Sequence, residues 1–425
     1  MAEVLRECQY SERGLLSQVC AGDHATPRSL NLPPFFVYFR TILESVPTVT
    51  SSPRVALVHD WLTGMRGGEK CLEVLCELFP AAPIYTLLHV KGAMSPLIES
   101  REIHTSFIQR FPSVEEKYRM YLPFFPAAIE SFDFSGFDLV VSTSHCVAKG
   151  AKPRRGALHL CYCFTPMRYV YEMYDEYFGK GQAGVVVRSA MAGVAPVLRW
   201  WDKRTSSRVD HFVAISEHVK KRIERHYRRD SDVIFPPVDT ERFRVSARDE
   251  GYYLIVSALV PYKRVDLAVR AFNRIGAHLL IVGKGPDEEK LRGLAGPNVE
   301  FAGWKDDDEL ARLYGGAKAL VFPGEEDFGI VPLEAMASGK PVVAFARGGA
   351  LETVENGVTG VFFEEQNEAA LEAALNRMSS MRFDPKRINE RALQFSRTKF
   401  KERLGGYIDD KLASHRARTN GPGDR

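Results

Sequence analysis

The sequence predicts an α/β protein built from two doubly wound units in tandem, each with a parallel sheet covered by helices on both faces. Short apolar segments alternate with helical patterns in both halves of the chain, which favours parallel sheets. Pro236 and Pro237 interrupt this alternation near its middle and mark a linker, because proline continues neither a helix nor a central strand. The length of 425 residues also suits two domains better than one.

The first half of the pattern begins with the apolar run Arg54–His59 (RVALVH), which predicts a buried strand. A glycine-bearing loop at residues 64–68 leads into a helix predicted at Glu69–Leu78. The other strands predicted in this half are Pro83–Leu88, Phe137–Ser142, Ala157–Cys163 and His211–Ile215. These elements predict a domain of residues 54–240. Residues 1–53 lack the features of a signal peptide and are expected to be a disordered or misannotated extension.

The second half repeats the alternation and predicts a domain of residues 241–396. The strands predicted here are Tyr252–Val256, Ala277–Val282, Asn298–Phe301, Ala319–Phe322 and Pro341–Ala344. The helices predicted here are Val265–Ile275, Asp287–Leu294, Asp307–Tyr314, Gly329–Ser338 and Glu368–Met378. A last helix, Thr398–Ser414 within a segment of residues 397–414, could cross back to the first domain. Two such units leave a crevice at the carboxyl ends of both sheets, where a ligand is expected.

The composition excludes several classes of function. The formal net charge is +3, which is too small to favour a nucleic-acid-binding protein. No apolar run reaches the roughly 18 residues that indicate a membrane-spanning helix. The seven cysteines show no zinc-ligand spacing, and their odd number indicates reduced thiols in a cytoplasmic protein.

The strongest functional pattern is the segment Glu326–Glu334 (EDFGIVPLE), which follows the predicted strand Ala319–Phe322. Its glycine, Gly329, lets backbone amides approach a ligand, and the helix that begins there favours a diphosphate at its N-terminus. Glu334 can accept hydrogen bonds from a ribose diol, and Glu326 can reach a sugar ring. The alternative is that both glutamates are solvated charges.

A second pattern places Lys263 and Arg264 at the start of the predicted helix Val265–Ile275. Two cations at a helix N-terminus oppose the helix dipole unless an anion lies between them, so the pair favours a phosphate site. The glycine loop at residues 64–68 (GMRGG) departs from the dinucleotide-binding pattern, and its simpler interpretation is a tight turn.

Together these residues resemble glycosyltransferase family 4, whose members have the GT-B fold of two Rossmann-like domains that face a central cleft. The resemblance covers residues 54 to about 407, and the spacing of Glu326 and Glu334 is its most specific part. The segments most similar to the mannosyltransferase branch of bacterial surface polysaccharide synthesis are 142–150 (STSHCVAKG), 165–169 (TPMRY), 236–243 (PPVDTERF) and 348–360. The resemblance implies a retaining hexosyltransferase with no metal requirement. It would transfer a sugar, with GDP-mannose as the first expected donor, to a polysaccharide or a lipid-linked saccharide.

The resemblance also implies a role for each residue of the site. Glu334 would bind the donor ribose, Glu326 the transferred sugar, and Lys263 with Arg264 the diphosphate. The expected catalytic residues are Glu326, Lys263 and His145. The other residues expected to bind the donor are Phe328, Gly329, Ile330, Gly67, Gly68, Gly283 and Trp304, with Phe164 and Arg168 elsewhere in the cleft.

The main departure from the family lies at Phe164. Family members read Cys-His-Thr-Pro there, with the histidine beside the transferred sugar, whereas this chain reads CFTP at residues 163–166. Phenylalanine cannot hydrogen-bond a sugar hydroxyl, so the sugar lacks that hydroxyl, His145 substitutes, or activity is lost. Two alternatives therefore remain beside the transferase, namely a catalytically impaired nucleotide-sugar-binding protein and a nucleotide-sugar epimerase with the same fold.

A basic segment at residues 219–229 (VKKRIERHYRR), with Trp200 and Trp201 upstream, has two interpretations. Basic and aromatic faces can hold a protein at an anionic membrane surface, which would suit a lipid-linked acceptor at the inner face of the membrane. A solvated helix face is the commoner origin of such a segment.

Overall fold

The computed structural model describes residues 52–172, 174, 178 and 184–419. Within them the chain forms one seven-stranded and one six-stranded sheet, and every strand pair in both sheets is parallel. The predicted α/β class with two parallel sheets is therefore confirmed. Of the expected N-terminal extension, residues 1–51 lie outside the described residues.

The first sheet has the strand order β3-β2-β1-β4-β5-β6-β7. Its strands are β1 (Val55–His59), β2 (Ile84–Thr86), β3 (Ile103–Thr105), β4 (Leu139–Ser144), β5 (Leu158–Cys163), β6 (His211–Ala214) and β7 (Ser231–Val233). The three central strands β1, β4 and β5 are buried along their whole length, which explains the continuous apolar runs seen in the sequence. β3 and β7 were not predicted, because they are short, partly exposed edge strands that form no apolar run.

The helices of the first half pack around this sheet. They are α1 (Gly67–Leu78), α2 (Pro96–Glu99), α3 (Val114–Lys117), α4 (Phe125–Glu130), α5 (Val185–Thr205) and α6 (Glu217–Tyr227). α1 begins two residues before the predicted start, since Gly67 and Gly68 are themselves helical. The long helix α5 was missed because Pro196 lies inside it and suggests a break.

The second sheet has the strand order β10-β9-β8-β11-β12-β13. Its strands are β8 (Tyr252–Val256), β9 (His278–Val282), β10 (Val299–Gly303), β11 (Ala319–Phe322), β12 (Val342–Phe345) and β13 (Gly360–Phe363). Its helices are α7 (Val265–Ile275), α8 (Glu288–Leu294), α9 (Asp307–Gly316), α10 (Ile330–Ala337), α11 (Ala350–Thr353), α12 (Glu368–Ser380) and α13 (Pro385–Leu393). The predicted strands and helices of this half lie within two residues of these bounds, while β13, α11 and α13 were not predicted.

The last helix, α14 (Arg397–Thr419), packs on the first sheet although it follows the second in sequence. Arg397 forms ion pairs with Glu73 and Glu77 of α1. The buried ring of Phe400 lies with its centroid 5.5 Å from that of Tyr162 on β5. α14 therefore ties the end of the chain to its first half.

None of the helices in the described ranges is long and apolar enough to cross a membrane.

We expect Phe400→Ala to lower the free energy of unfolding by about 3–5 kcal/mol, because it empties a buried site between α14 and the first sheet. Arg403→Ala is the matched control, since Arg403 is exposed on the same helix and a surface change of this kind costs less than about 0.5 kcal/mol. Urea unfolding of both variants measures the difference. Equal stabilities would mean that α14 does not pack there in solution.

Candidate functional site

The loops that follow β1 and β11, both central strands of their sheets, approach each other across a cleft. A Cβ added at Gly67 would lie only 2.7 Å from the Cδ1 atom of Ile330, so the two loops are in contact at this point. Gly67 and Ile330 are also the first residues of α1 and α10. The N-termini of two helices therefore converge where the sequence predicts a diphosphate.

Lys263 and Glu326, two of the expected catalytic residues, are brought together. The Nζ atom of Lys263 forms an ion pair with Glu326, and both side chains are mostly shielded from solvent. Lys263 ends a short 3-10 turn that follows β8. This turn packs closely on the loop that follows β11, where a Cβ added at Gly324 would lie 2.9 Å from the Cα of Lys263.

Arg264, the other expected diphosphate ligand, has partners of its own. Its guanidinium group donates a hydrogen bond of 2.8 Å to the Oε1 atom of Gln366 and pairs with Asp266 at 3.3 Å. Its backbone is left-handed, with φ of 53°, which turns the chain from the 3-10 turn into α7. Gln366 was not predicted, since 102 residues separate it from Arg264 in the sequence.

Glu334 lies half-buried on α10 and accepts a hydrogen bond of 2.9 Å from the hydroxyl of Tyr314 on α9. Burial raises the pKa of Glu334 above its ordinary value, although the charge of Lys70 on α1 and the bond from Tyr314 act in the opposite direction. A carboxylate in this state gains from further hydrogen-bond donors.

The loop before α10 is shaped by two glycines that the sequence pattern did not single out individually. A Cβ at Gly349 would lie 2.2 Å from the Cα of Phe328, and one at Gly348 would lie 2.3 Å from the carbonyl oxygen of Glu326. Any larger residue would therefore displace the loop. The ring of Phe328 itself is buried and stacks on Phe235 at 5.7 Å, so only its backbone can face a ligand.

Gly283 and Trp304, both expected to bind the donor, occupy different environments. Gly283, with φ of 138°, lies so close to Ser257 that an added Cβ would be 1.8 Å from the Ser257 carbonyl oxygen. Trp304 is 68% exposed and leaves most of its indole surface uncovered. Gly283 is therefore required by packing, whereas Trp304 is free to cover a ligand.

Phe164 lies between two histidines on the wall formed by the first sheet. Its ring centroid is 6.4 Å from that of His59 and 6.3 Å from that of His145. An added Cβ at Gly68 would lie 3.3 Å from the Phe164 ring, which places the glycine loop against the same wall. His59 was not predicted.

Each of these histidines pairs with a carboxylate. The Nε2 atom of His59 lies 3.5 Å from Glu69, and its Nδ1 atom lies 2.7 Å from the hydroxyl of Thr143. Burial opposes ionisation of Glu69, but the hydrogen bond and charge of His59 outweigh it and lower the pKa of Glu69. The Nδ1 atom of His145 lies 3.1 Å from the buried carboxylate of Asp60.

Asp60 is the most heavily bonded carboxylate of the site. It accepts hydrogen bonds of 2.7 to 2.9 Å from four consecutive backbone amides, those of residues 145–148. Burial alone would raise the pKa of Asp60, but the charge and hydrogen bonds of His145 lower it to about 2. Asp60 was missed in the sequence, where the only available signal was an acidic residue directly after a buried strand.

Asp327 links the two halves. Arg168 and Arg222 of the first half both form ion pairs with its carboxylate, and the hydroxyl of Ser216 donates a hydrogen bond of 2.6 Å to its backbone carbonyl. Arg168 was expected in the cleft, where it has this partner. Arg222, from the basic segment 219–229, was not expected there.

Comparison with known proteins gives the family. Residues 65–242 match the family model described as Glycosyltransferase Family 4, and residues 238–395 match the model described as Glycosyl transferases group 1. The chain belongs to glycosyltransferase family 4. An uncharacterized glycosyltransferase of Methanocaldococcus jannaschii is 27% identical to this family 4 protein over 222 residues, which are 51% of this chain and 62% of the relative.

A better characterised relative is a GDP-mannose-dependent alpha-(1-6)-phosphatidylinositol monomannoside mannosyltransferase of Mycobacterium tuberculosis. It is 35% identical over 198 residues, which are 39% of the family 4 chain and 51% of the relative. The chain thus spans less than two thirds of the length of either curated relative. Among solved structures, Anabaena HepE in complex with UDP aligns with a TM-score of 0.62 at 16% identity, over 85% of this chain and 100% of that one. The family 4 protein therefore has the GT-B fold.

The basic and aromatic residues of the family 4 protein do not form a single face. Trp201 is buried, and its Nε1 atom donates a hydrogen bond of 2.8 Å to Glu130. Trp200 is 61% exposed, with the guanidinium group of Arg204 5.5 Å from its ring. His226 pairs with Glu172, so the segment 219–229 is partly occupied by structural contacts.

We expect Asp60→Asn to be less stable than the wild type by about 2 kcal/mol at neutral pH, because it removes a carboxylate whose pKa is about 2 in the fold and about 3.9 in the unfolded chain. A carboxylate whose pKa is lowered by folding stabilises the fold at pH values above its pKa in the unfolded chain. That contribution to the free energy of unfolding is lost as the pH falls towards 2. The difference between the two proteins should therefore shrink below about pH 4. Urea unfolding between pH 7 and pH 3 measures it.

Asp409→Asn is the control for this series, because Asp409 is an exposed aspartate. A difference between wild type and Asp60→Asn that stays constant with pH would assign the loss to packing rather than to the ionised carboxylate.

Proposed function

We propose that this protein is a retaining glycosyltransferase that moves a hexose from a nucleotide-sugar donor to a polysaccharide or a lipid-linked saccharide. The observation that carries the proposal is the ion pair between Lys263 and Glu326, set beside the converging N-termini of α1 and α10. A cation and helix N-termini can stabilise the charge of a leaving diphosphate, and a carboxylate can accept hydrogen bonds from the hydroxyls of a sugar. Membership of family 4 supports the same reaction.

The donor diphosphate would lie between Lys263 and the N-terminus of α10. Negative charge builds up on the diphosphate as its bond to the anomeric carbon breaks, so groups that stabilise this charge lower the barrier most. Lys263 would then exchange Glu326 for the diphosphate, which frees Glu326 to bind the hydroxyls of the sugar. Arg264 would act through Gln366 and Asp266 by fixing the turn that carries Lys263.

Glu334 would accept hydrogen bonds from the two hydroxyls of the donor ribose. Its half-buried carboxylate already has one donor, Tyr314, and a raised pKa that further donors would lower. Gly67 and Gly68 would let the backbone of α1 approach the diphosphate from the first half. Trp304, beyond Gly283, would cover the base.

GDP-mannose is the donor that we propose first, because the Mycobacterium tuberculosis relative depends on it and is 35% identical over the aligned region. A UDP-sugar is the alternative, since HepE was solved with UDP. We further propose that the reaction needs no metal ion, since Lys263 and the helix N-termini would supply the positive charge. The protein would work in the cytoplasm, and exposed Trp200 and Arg204 would favour contact with an anionic membrane when the acceptor is lipid-linked.

The acceptor hydroxyl would attack the anomeric carbon from the face that the diphosphate leaves, and its proton would pass to the departing diphosphate. The configuration is then retained without a covalent enzyme intermediate. His145 would form the hydrogen bond to the sugar that Phe164 cannot form. Because Asp60 is ionised and holds the Nδ1 atom of His145, the Nε2 atom would remain for a sugar hydroxyl. A donor sugar that lacks the hydroxyl at that place is the alternative to this role of His145.

We expect Lys263→Ala to lower kcat about 10²–10³-fold, with a smaller change in the KM for the donor, because Lys263 acts mainly on the leaving group. Release of nucleoside diphosphate from a panel that includes GDP-mannose and UDP-glucose measures both constants. Lys290→Ala, at an exposed lysine of α8, is the control and should behave as the wild type. Parallel losses in kcat and in donor affinity would mean that Lys263 binds the donor as strongly in the ground state as in the transition state.

His145→Ala and Phe164→His separate the transferase from a protein that only binds the donor. His145→Ala should lower turnover about 10–100-fold, as loss of a bond to the reacting sugar does, while Phe164→His should change the ranking of donors. Turnover and titration of the same donors distinguish the cases. Binding without turnover in the wild type, together with turnover in Phe164→His, would favour an impaired nucleotide-sugar-binding protein.

A further inference from the structure

A second cavity, of about 770 Å³, lies beside the cleft and contains none of the residues assigned to the donor. One wall is the segment of residues 242–252 that leads from the linker into β8, and the other is helix α9. Pockets of roughly 300–1,000 Å³ are typical of small-molecule sites. The size of this cavity therefore suits a small ligand.

The cavity is strongly basic. Its lining cations are Arg242, Arg244, Arg248, Lys305 and Arg312, and its lining carboxylates are Glu250 and Glu309. Most of these cations lie at exposed positions, so water screens their mutual repulsion, but their combined charge would still attract an anion into the cavity.

Some of these charges are already balanced. Arg242 pairs with Asp239 and Asp307, and Lys305 pairs with Glu309 at 3.0 Å. The remaining three arginines of the lining are Arg244, Arg248 and Arg312. In the described part of the chain, their guanidinium groups form no ion pair or hydrogen bond. The one lining carboxylate left to balance their charge is that of Glu250. The local balance is therefore three positive charges against one negative charge, or +2.

We propose that this cavity binds a sugar phosphate through Arg244, Arg248 and Arg312. A phosphate monoester carries a charge of about −1.5 to −2 at neutral pH, which matches the local balance. Guanidinium groups bind phosphate in a planar, bidentate fashion, so three of them can surround one phosphate group. The apolar side chains of Val245 and Leu313 also line the cavity and could contact the sugar ring.

The cavity adjoins the cleft without belonging to it. Arg242 lines both this cavity and a smaller one of about 250 Å³, whose other lining residues include Lys70 of α1 and Asp307 of α9. The two ion-pair partners of Arg242, Asp239 and Asp307, line only the smaller cavity. Binding in the larger cavity therefore does not depend on the proposed transfer reaction.

Titration of the full chain with glucose 6-phosphate tests the proposal. The triple variant Arg244→Ala, Arg248→Ala, Arg312→Ala should bind this probe at least about tenfold more weakly than the wild type, because charge-assisted hydrogen bonds are lost. The matched control is a triple alanine variant at Arg382, Lys386 and Arg387, exposed cations outside the cavity. Glucose, which lacks the phosphate, should bind neither protein.

Lys263→Ala identifies the site that the probe occupies. If glucose 6-phosphate binds in the cavity, Lys263→Ala should bind it as tightly as the wild type does, whether or not the protein proves to be a transferase. Loss of binding in Lys263→Ala would place the probe in the donor site and overturn the proposal. Equal affinities in the two triple variants would overturn it as well. All three arginines are exposed, and Arg312→Ala alone repeats the comparison if the triple variant does not fold.

Discussion

The geometry of the cleft depends on the ion cluster around Asp327. This residue lies inside the loop that carries Glu326 and Gly329, yet its carboxylate is held by Arg168 and Arg222 from the other half of the chain. The loop that would hold the sugar is therefore fixed from outside its own sheet. Because an unpaired charge at a half-shielded position is costly, the two arginines and the aspartate need one another to stay in place.

In the wall opposite this loop, side chains are likewise held in place by carboxylate partners. His59 and His145 flank Phe164, and each has one ring nitrogen close to a carboxylate of the first half. Pairing of this kind fixes the orientation of an imidazole and the nitrogen that carries its proton. The wall thus keeps two polar rings beside Phe164, the position at which the resemblance to the family implied a histidine.

Sequence patterns predicted the sheets and led us to assign residues to a donor site, but they did not reveal the contacts that hold those residues. Lys263 and Glu326 were both assigned from local motifs, since each follows a central strand. Asp60 was missed because its partners are four backbone amides, which no side-chain pattern reveals. Gln366 was missed because it meets Arg264 across 102 residues of sequence. Contacts of this kind depend on tertiary packing, and the local patterns of a single sequence do not reveal them.

Helix α14 has a consequence for the order in which the chain can fold. Its buried residues Phe400, Leu404, Ile408 and Leu412 belong to the core that includes β5 of the first sheet. During synthesis the first sheet leaves the ribosome long before this helix exists, so an apolar surface beside Tyr162 stays uncovered until the second sheet has been made as well. Such an exposed surface invites association with other chains in the cell. A fragment that ends before α14 would carry that surface permanently, and cutting the protein between its two sheets would not yield two stable halves.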